Sequence, residues 1–516
     1  MSSTIQPAVT PAGAPPSAGA GTGLHRRALG TSDLVFFIVA ASAPLTAVAG
    51  GQAATYLVTG NQGIPFLFIP LSIILGVFAV GYAAMSHHVA DAGAFYTYVA
   101  RGLGKIPGVG AAFVALVSYN AMQIGIYGLF GVATAAFMSD KVGITLDWFW
   151  WCFIAAAIIS VLGVLKIDLN ARVLGIALIL EVLVVAIFDF AILADPGSQG
   201  LTTTGFSPSA ATDGALGAAL VFCIASFVGF ESAAIYSEEV KDPKRTVARA
   251  TFIAVFAVGI FYALSSWLLA NAVGPDTMVS PDGLVEAGFT TPDGAAPDPT
   301  TVLIGSGTER LGAFWGDAAQ LLFCTSLFAA LLAFHNSVAR YGFALGREGV
   351  FPKAFARTSP TTGAPVVGSV VQTVLAVVVL LVFVLADADP VLKLFTWLTN
   401  LGALGVVLLM TVTSLAVVAY FRRSPDHGLG AGRTLVAPVI AAICLGVVFV
   451  LGLLNFNVLI TSAQDAPTDK MAIILPLLLL VAAVAGMAVA AMLRRSRPDV
   501  YGRIGDRSPV EAAEQV

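Results

Sequence analysis

Apolar runs of about 20 residues, the length a helix needs to cross a bilayer, recur along this chain from residue 33 to residue 493 with short breaks between them. A water-soluble fold is excluded by that pattern. The runs lie near 33–57, 63–87, 108–138, 146–165, 171–194 and 213–237, then near 249–274, 314–340, 365–386, 391–421, 432–457 and 470–493. The expected fold class is therefore all-α integral membrane, with twelve transmembrane helices in one domain over residues 25–495. Composition agrees: 11% of residues are charged and 58% hydrophobic, where a soluble domain carries about 25% charge.

Lysine and arginine set the orientation, because loops retained in the cytoplasm hold an excess of them. Sorting the 26 by alternating loops leaves Lys141, Arg310, Lys393 and Lys470 on one face and the other 22 on the opposite face. One helix missed or invented would scramble that division. Both termini are expected in the cytoplasm of a cell-membrane protein, with residues 1–24, rich in Pro, Ala, Gly, Ser and Thr, and residues 496–516 as tails. The acidic exterior loop over 275–313 reads as a solvated cap. The interior segment 88–107, with Phe95, Tyr96 and Tyr98 beside Arg101 and Lys105, reads as an amphipathic stretch at the membrane surface.

Several chemistries are excluded. A net charge of −4 with no basic patch leaves nothing for nucleic acid to bind. Cys152, Cys223, Cys324 and Cys444 sit singly in apolar runs, read as small buried hydrophobes without metal-ligand spacing. His87-His88 lacks a third ligand. There is no phosphate-binding G-x-x-x-x-G-K-[ST] loop, no zinc-binding H-E-x-x-H pair and no soluble domain to hold an ATPase, so the chain reads as no enzyme and needs no cofactor. The expected partners are a small-molecule substrate and the lipid bilayer.

Inside hydrocarbon a helix interruption is costly unless it lines a cavity, so interruptions mark sites. The first span holds Ala41-Ser42-Ala43-Pro44-Leu45-Thr46 near its middle, where proline removes a donor and clashes with the preceding turn. The sixth holds Ser226-Phe227-Val228-Gly229-Phe230-Glu231-Ser232, a glycine beside an ionisable residue at depth. These spans open two sets of five, 1–5 and 6–10. That is the correspondence an inverted-repeat transporter predicts, with repeats over about 33–194 and 213–421 and two extra helices over about 432–493.

Three ordered motifs then resemble one family. Asp91-Ala92-Gly93-Ala94-Phe95-Tyr96-Thr97-Tyr98, continuing to Gly104, looks like the loop after helix 2 of the amino acid–polyamine–organocation permeases. Phe227-Val228-Gly229-Phe230-Glu231, followed by Glu238-Glu239-Val240-Lys241-Asp242-Pro243-Lys244-Arg245, is similar to that family's helix 6 signature and the loop beyond it. Ala339-Arg340 with Gly346-Arg347-Glu348-Gly349-Val350-Phe351-Pro352 resembles its helix 8 exit. The resemblance implies a leucine-transporter-like fold of five plus five helices in inverted repeat, substrate at the interruptions of helices 1 and 6, and alternating access. Substrate contacts are then expected from Ser42, Ala43, Leu45, Thr46, Ser226, Phe227 and Gly229. Ala225 stands where many members of the family place an aromatic gate, which leaves Phe222 or Phe230 for that part.

On the third span Tyr119, Gln123 and Tyr127 recur at i, i+4 and i+8, one face that serves either as pocket wall or as interhelical hydrogen-bonding glue. Thr396 and Asn400 form a weaker pair. The deep ionisable groups are the candidates for coupling: Glu181, ten residues into the fifth span and so about 15 Å along it, and Glu231 at the sixth-span interruption. His335 reads as a hydrogen-bonded core histidine. Thr325-Ser326 resembles the hydroxyl pair that holds sodium in sodium-coupled members of the fold. The expected activity is secondary transport of a small amino acid by alternating access, with protons as coupling ion and sodium as the alternative. A polyamine or amine permease, an exchanger, and a channel or sensor of the same topology are the other readings.

Overall fold

The computed structural model describes residues 30–86, 88–89, 95–165, 167–231, 240, 243–291, 294, 296–424, 428–463 and 466–505. Residues 91–94, 232–239, 241–242, His87 and most of both tails lie outside these. The described residues are helices joined by turns and irregular segments, with an isolated bridge between Thr290 and Pro297.

The chain enters through α1 (Thr31–Ser42), then a π-helical stretch over Thr46–Gln52, α2 (Ala53–Thr59) and α3 (Ile64–Ser86). It continues through α4 (Phe95–Leu103), α5 (Lys105–Val142), α6 (Trp148–Leu162), α7 (Ile167–Ala194), the short α8 (Pro208–Thr212) and α9 (Leu216–Ala225). The second half begins with α10 (Pro243–Val273), α11 (Pro275–Met278), α12 (Pro281–Glu286), α13 (Val302–Leu311) and α14 (Ala313–Glu348). It ends with α15 (Val366–Leu385), a π-helical stretch over Pro390–Phe395, α16 (Thr396–Arg423), α17 (Ala437–Leu454), α18 (Phe456–Thr461), α19 (Met471–Ser496) and α20 (Pro498–Arg503).

Among the described residues, eight helices are long and apolar enough to cross a membrane. Their burial separates centre from rim: 78% of the most apolar window of α5 is buried, against 28% for α15 and for α19. Phe190 on α7, Ile260 on α10, Ile443 on α17 and Ile473 on α19 are exposed, a surface suited to lipid and prone to aggregation in water. This is a multi-pass membrane protein.

Close approach at the centre depends on missing side chains. A Cβ on Gly128 of α5 would lie 2.2 Å from the Pro390 carbonyl oxygen, and one on Gly486 of α19 would lie 2.5 Å from that of Val109. Small residues let α5 pack directly on its neighbours, the usual way helices associate where lipid is as apolar as leucine. Helix α1 packs against α10, α7 and α14, and α9 packs against α17, α16, α2 and α3.

Two loop expectations change. The aromatic residues of 88–107 face the protein interior: Phe95, Tyr96 and Tyr98 of α4 are buried against α5 and α16, because a Gly102 without Cβ lets α4 meet the Ala416 carbonyl. The 275–313 loop is folded rather than a loose solvated cap. Met278, Leu284, Val302 and Leu303 are fully buried in it, and the Asp298 carboxylate caps a turn by accepting from the Thr300 amide at 3.0 Å. Cys152, Cys223 and Cys324 are buried as expected, but Cys444 on α17 is half-buried.

Candidate functional site

Helix α1 stops at Ala43, which takes φ +43°, a left-handed conformation that side chains with a Cβ disfavour by about 1–2 kcal/mol. Pro44 follows and has no N–H to give the preceding turn. The carbonyl of Ser42 turns aside and accepts from the Tyr262 hydroxyl at 2.9 Å, and the chain re-enters helix through π-helical geometry from Thr46. The strain is thus held by partners on α10.

The second interruption follows α9. Ser226 to Gly229 form turns, and Gly229 adopts φ +117°, a region glycine enters without Cβ conflict. Glu231 locks this turn. Its two carboxylate oxygens accept from the Tyr119 hydroxyl at 2.7 Å and from the Gly229 amide at 3.0 Å, while its carbonyl accepts from Tyr82 at 2.9 Å.

The two interruptions face one cavity of about 60 Å³. Ser42, Ala43, Thr46 and Ala47 line it from the first, and Phe222, Ala225, Ser226 and Val228 from the second. Met122 and Ile126 of α5, Ala330 and Phe334 of α14, and Phe395 and Thr399 complete the wall with Gly51. No acidic, basic or amide side chain is among them.

Of the expected contacts, Ser42, Ala43, Thr46, Ser226 and Phe222 line the cavity; the others do not. Leu45 is fully buried, with its amide bonded to Glu181. Phe227 packs its ring against Phe68 and Tyr262, with centroids 5.8 and 6.1 Å away. Phe230 meets Phe78 edge-on at 6.0 Å. Gly229 shapes the turn instead of facing the cavity. Tyr119 and Gln123 act as interhelical bonds: Tyr119 donates to Glu231, and Gln123 donates to the Leu331 carbonyl at 3.3 Å and accepts from Gln372. Glu231 points at Tyr119 and away from the cavity, so it offers no charge to a ligand there.

The hydroxyl pair separates. Thr325 is exposed and donates to the Leu322 carbonyl of its own helix at 3.0 Å, because neighbours on a helix point about 100° apart. Ser326 points inward, donates to the Glu181 carboxylate at 2.6 Å, and accepts from the Thr46 hydroxyl at 3.0 Å and the Thr46 amide at 3.3 Å. A hydrogen-bond chain therefore joins Glu181 on α7 to the α1 interruption through Ser326. His335 pairs with the Ser369 hydroxyl at 2.7 Å, and Asn400 donates to the Thr396 carbonyl of its own helix at 2.8 Å.

Met122, Ile126, Ala330, Phe334, Phe395 and Thr399 were not singled out from sequence. The only signal was that Met122 and Ile126 fall on the same broad face as Tyr119 and Gln123.

A family model described as amino acid permease matches residues 29–489. The low-affinity putrescine importer PlaP of Escherichia coli is 24% identical over 404 residues, covering 77% of this chain and 81% of that protein. The branched-chain amino acid permease BcaP of Bacillus subtilis is 22% identical, covering 72% and 76%. Cationic amino acid transporter 7 of Arabidopsis thaliana is 25% identical, covering 77% and 65%. Among solved structures, a manganese transporter from Eremococcus coleocola superposes with TM-score 0.52 at 16% identity over 90% of this chain and 96% of that one, a likeness of fold. Two interrupted helices around a shared cavity, in a chain matched nearly end to end, agree with the three motifs read from the sequence: the chain belongs to the amino acid permease family.

Proposed function

We propose that this chain is a secondary transporter that carries a small amino acid across the cell membrane by alternating access, with proton-coupled uptake. The observation behind this reading is the pair of interruptions, at Ala43 with φ +43° and at the turn closed by Gly229 with φ +117°, that both contribute lining residues to one cavity. Interrupted helices place backbone groups and dipole ends at mid-membrane, where transporters of this kind bind their substrates. The architecture proposed is twelve spans in two inverted five-helix repeats plus two helices, with both termini cytoplasmic. The relatives named for branched-chain amino acids, cationic amino acids and putrescine set the range of substrates considered.

Coupling is assigned to the chain from Glu181 through Ser326 to Thr46. An ionised Glu181 accepts from Ser326 and from the Leu45 amide, pinning the α1 interruption to α7 and α14. Protonation turns one acceptor oxygen into a donor, so the bonds along the chain must reorganise. One proton taken up from outside and released inside then biases the interruption between two arrangements. Sodium is the second reading, with Ser326 as one ligand; Thr325, on the outer face, is not available to it.

The test is uptake of labelled amino acid into proteoliposomes under separately imposed pH and sodium gradients. Accumulation driven by an inward proton gradient alone is the expected result. Accumulation with sodium alone would remove Glu181 from the coupling role. Flux that neither saturates nor shows counterflow would make the protein a channel.

A further inference from the structure

A second cavity, of about 290 Å³, lies at the end of α3 and the start of α10, on the face proposed as cytoplasmic. Its floor is Val80 and Ala84 in the last two turns of α3. One wall is Ala248 and Phe252 of α10; the other is Leu429 and Arg433, the latter in a π-helical stretch, Gly432–Val436, that leads into α17. Helix α3 packs on both α10 and this stretch, so the cavity is a cleft between them with α3 at its base. Arg433 is the one polar side chain in its lining.

Two more arginines border it. Arg245 lies three residues before Ala248, on the same face of α10, and Arg249 follows one turn after Arg245. All three arginines are exposed, and among the described residues no carboxylate pairs with any of them. The floor continues into the apolar belt. Ile73, Val77, Val80 and Ala84 recur at i, i+4, i+7 and i+11, one strip of α3, and Ile73 is 55% exposed. Phe256 of α10 borders that strip: a Cβ on Gly76 of α3 would lie 2.8 Å from its ring.

We infer that this cleft binds an anionic phospholipid, its phosphate held by Arg245, Arg249 and Arg433 and an acyl chain lying along the α3 strip. A planar guanidinium matches phosphate oxygens two at a time. A free anion would satisfy the arginines and leave the apolar floor uncovered. A zwitterionic lipid would cover the floor while bringing its own cation to the phosphate. An anionic lipid meets both demands, and basic pockets between helices on the cytoplasmic side are where such head groups bind.

The experiment is native mass spectrometry of the full-length protein in neutral detergent, with phosphatidylglycerol or phosphatidylcholine of the same acyl chains at equal concentration. The first phosphatidylglycerol retained should bind at least tenfold more tightly than phosphatidylcholine. Each arginine at an anionic lipid surface adds about fivefold in affinity, so the combined variant Arg245→Ala, Arg249→Ala, Arg433→Ala should lose at least tenfold. Ala248→Phe fills the cleft while keeping the arginines and should lose a similar factor. Equal binding of the two lipids, or undiminished phosphatidylglycerol binding in either variant, would overturn the inference. Inorganic phosphate bound as tightly as phosphatidylglycerol would make this a free-anion site and overturn it equally.

Discussion

Glu181 and Glu231 are both carboxylates at depth, and their partners give them different tasks. Glu231 holds a turn: it is bonded to Tyr119 and to the amide of Gly229 two residues away. Glu231→Ala would leave that hydroxyl and amide unpartnered at about 1–3 kcal/mol each, so detergent-solubilised protein should melt several degrees lower. Glu231→Gln keeps an acceptor for the amide and should retain most of the stability and uptake. Glu181 contacts the α1 interruption through Ser326, and Glu181→Gln should abolish pH-driven accumulation while preserving counterflow within about threefold. Loss of both activities together would make Glu181 structural. Gly229→Ala forces a Cβ into φ +117° at about 1–3 kcal/mol and should cut uptake tenfold or more in correctly inserted protein, a result that wild-type uptake would contradict. Proline and glycine announced both interruptions because they alter the backbone itself. The cavity wall was not legible in the same way. Met122 and Ile126 share the face of Tyr119 and Gln123 on α5, but apolar side chains on such a face read equally as helix packing, and only tertiary packing distinguishes them as cavity wall.

At the scale of the element, long spans were readable because bilayer thickness imposes a length that composition reveals. Short elements were not. Segment α4 has the alternation of a surface helix, yet Gly102 and Gly108 let it sink between α5 and α16. The tail read over 496–516 begins with a packed helix: Val500 is 6% and Ile504 1% exposed, the Gly505 amide donates to Glu348 at 3.2 Å, and Lys105 donates to the Gly502 carbonyl. The α20 segment thereby ties the ends of α5 and α14 together. Ending the chain after Ser496 should cost on the order of 3 kcal/mol, from two buried aliphatic side chains, seen as a lower melting midpoint. An unchanged midpoint would show that α20 adds nothing to the fold.

For the whole molecule, the division of lysine and arginine, 22 to 4, predicts cytoplasmic termini, and a reporter fused at the C-terminus should be active only in the cytoplasm. Alternating access makes a stricter demand, because the cavity between α1 and α9 must open to each side in turn. The direct measurement places a single cysteine at Ala225, with Cys152, Cys223, Cys324 and Cys444 replaced by alanine, in oriented vesicles. A membrane-impermeant thiol reagent is then applied from either side. The expected result is labelling from both sides, slowed from both by transported substrate. Labelling from one side only, whatever the substrate or gradient, would contradict alternating access.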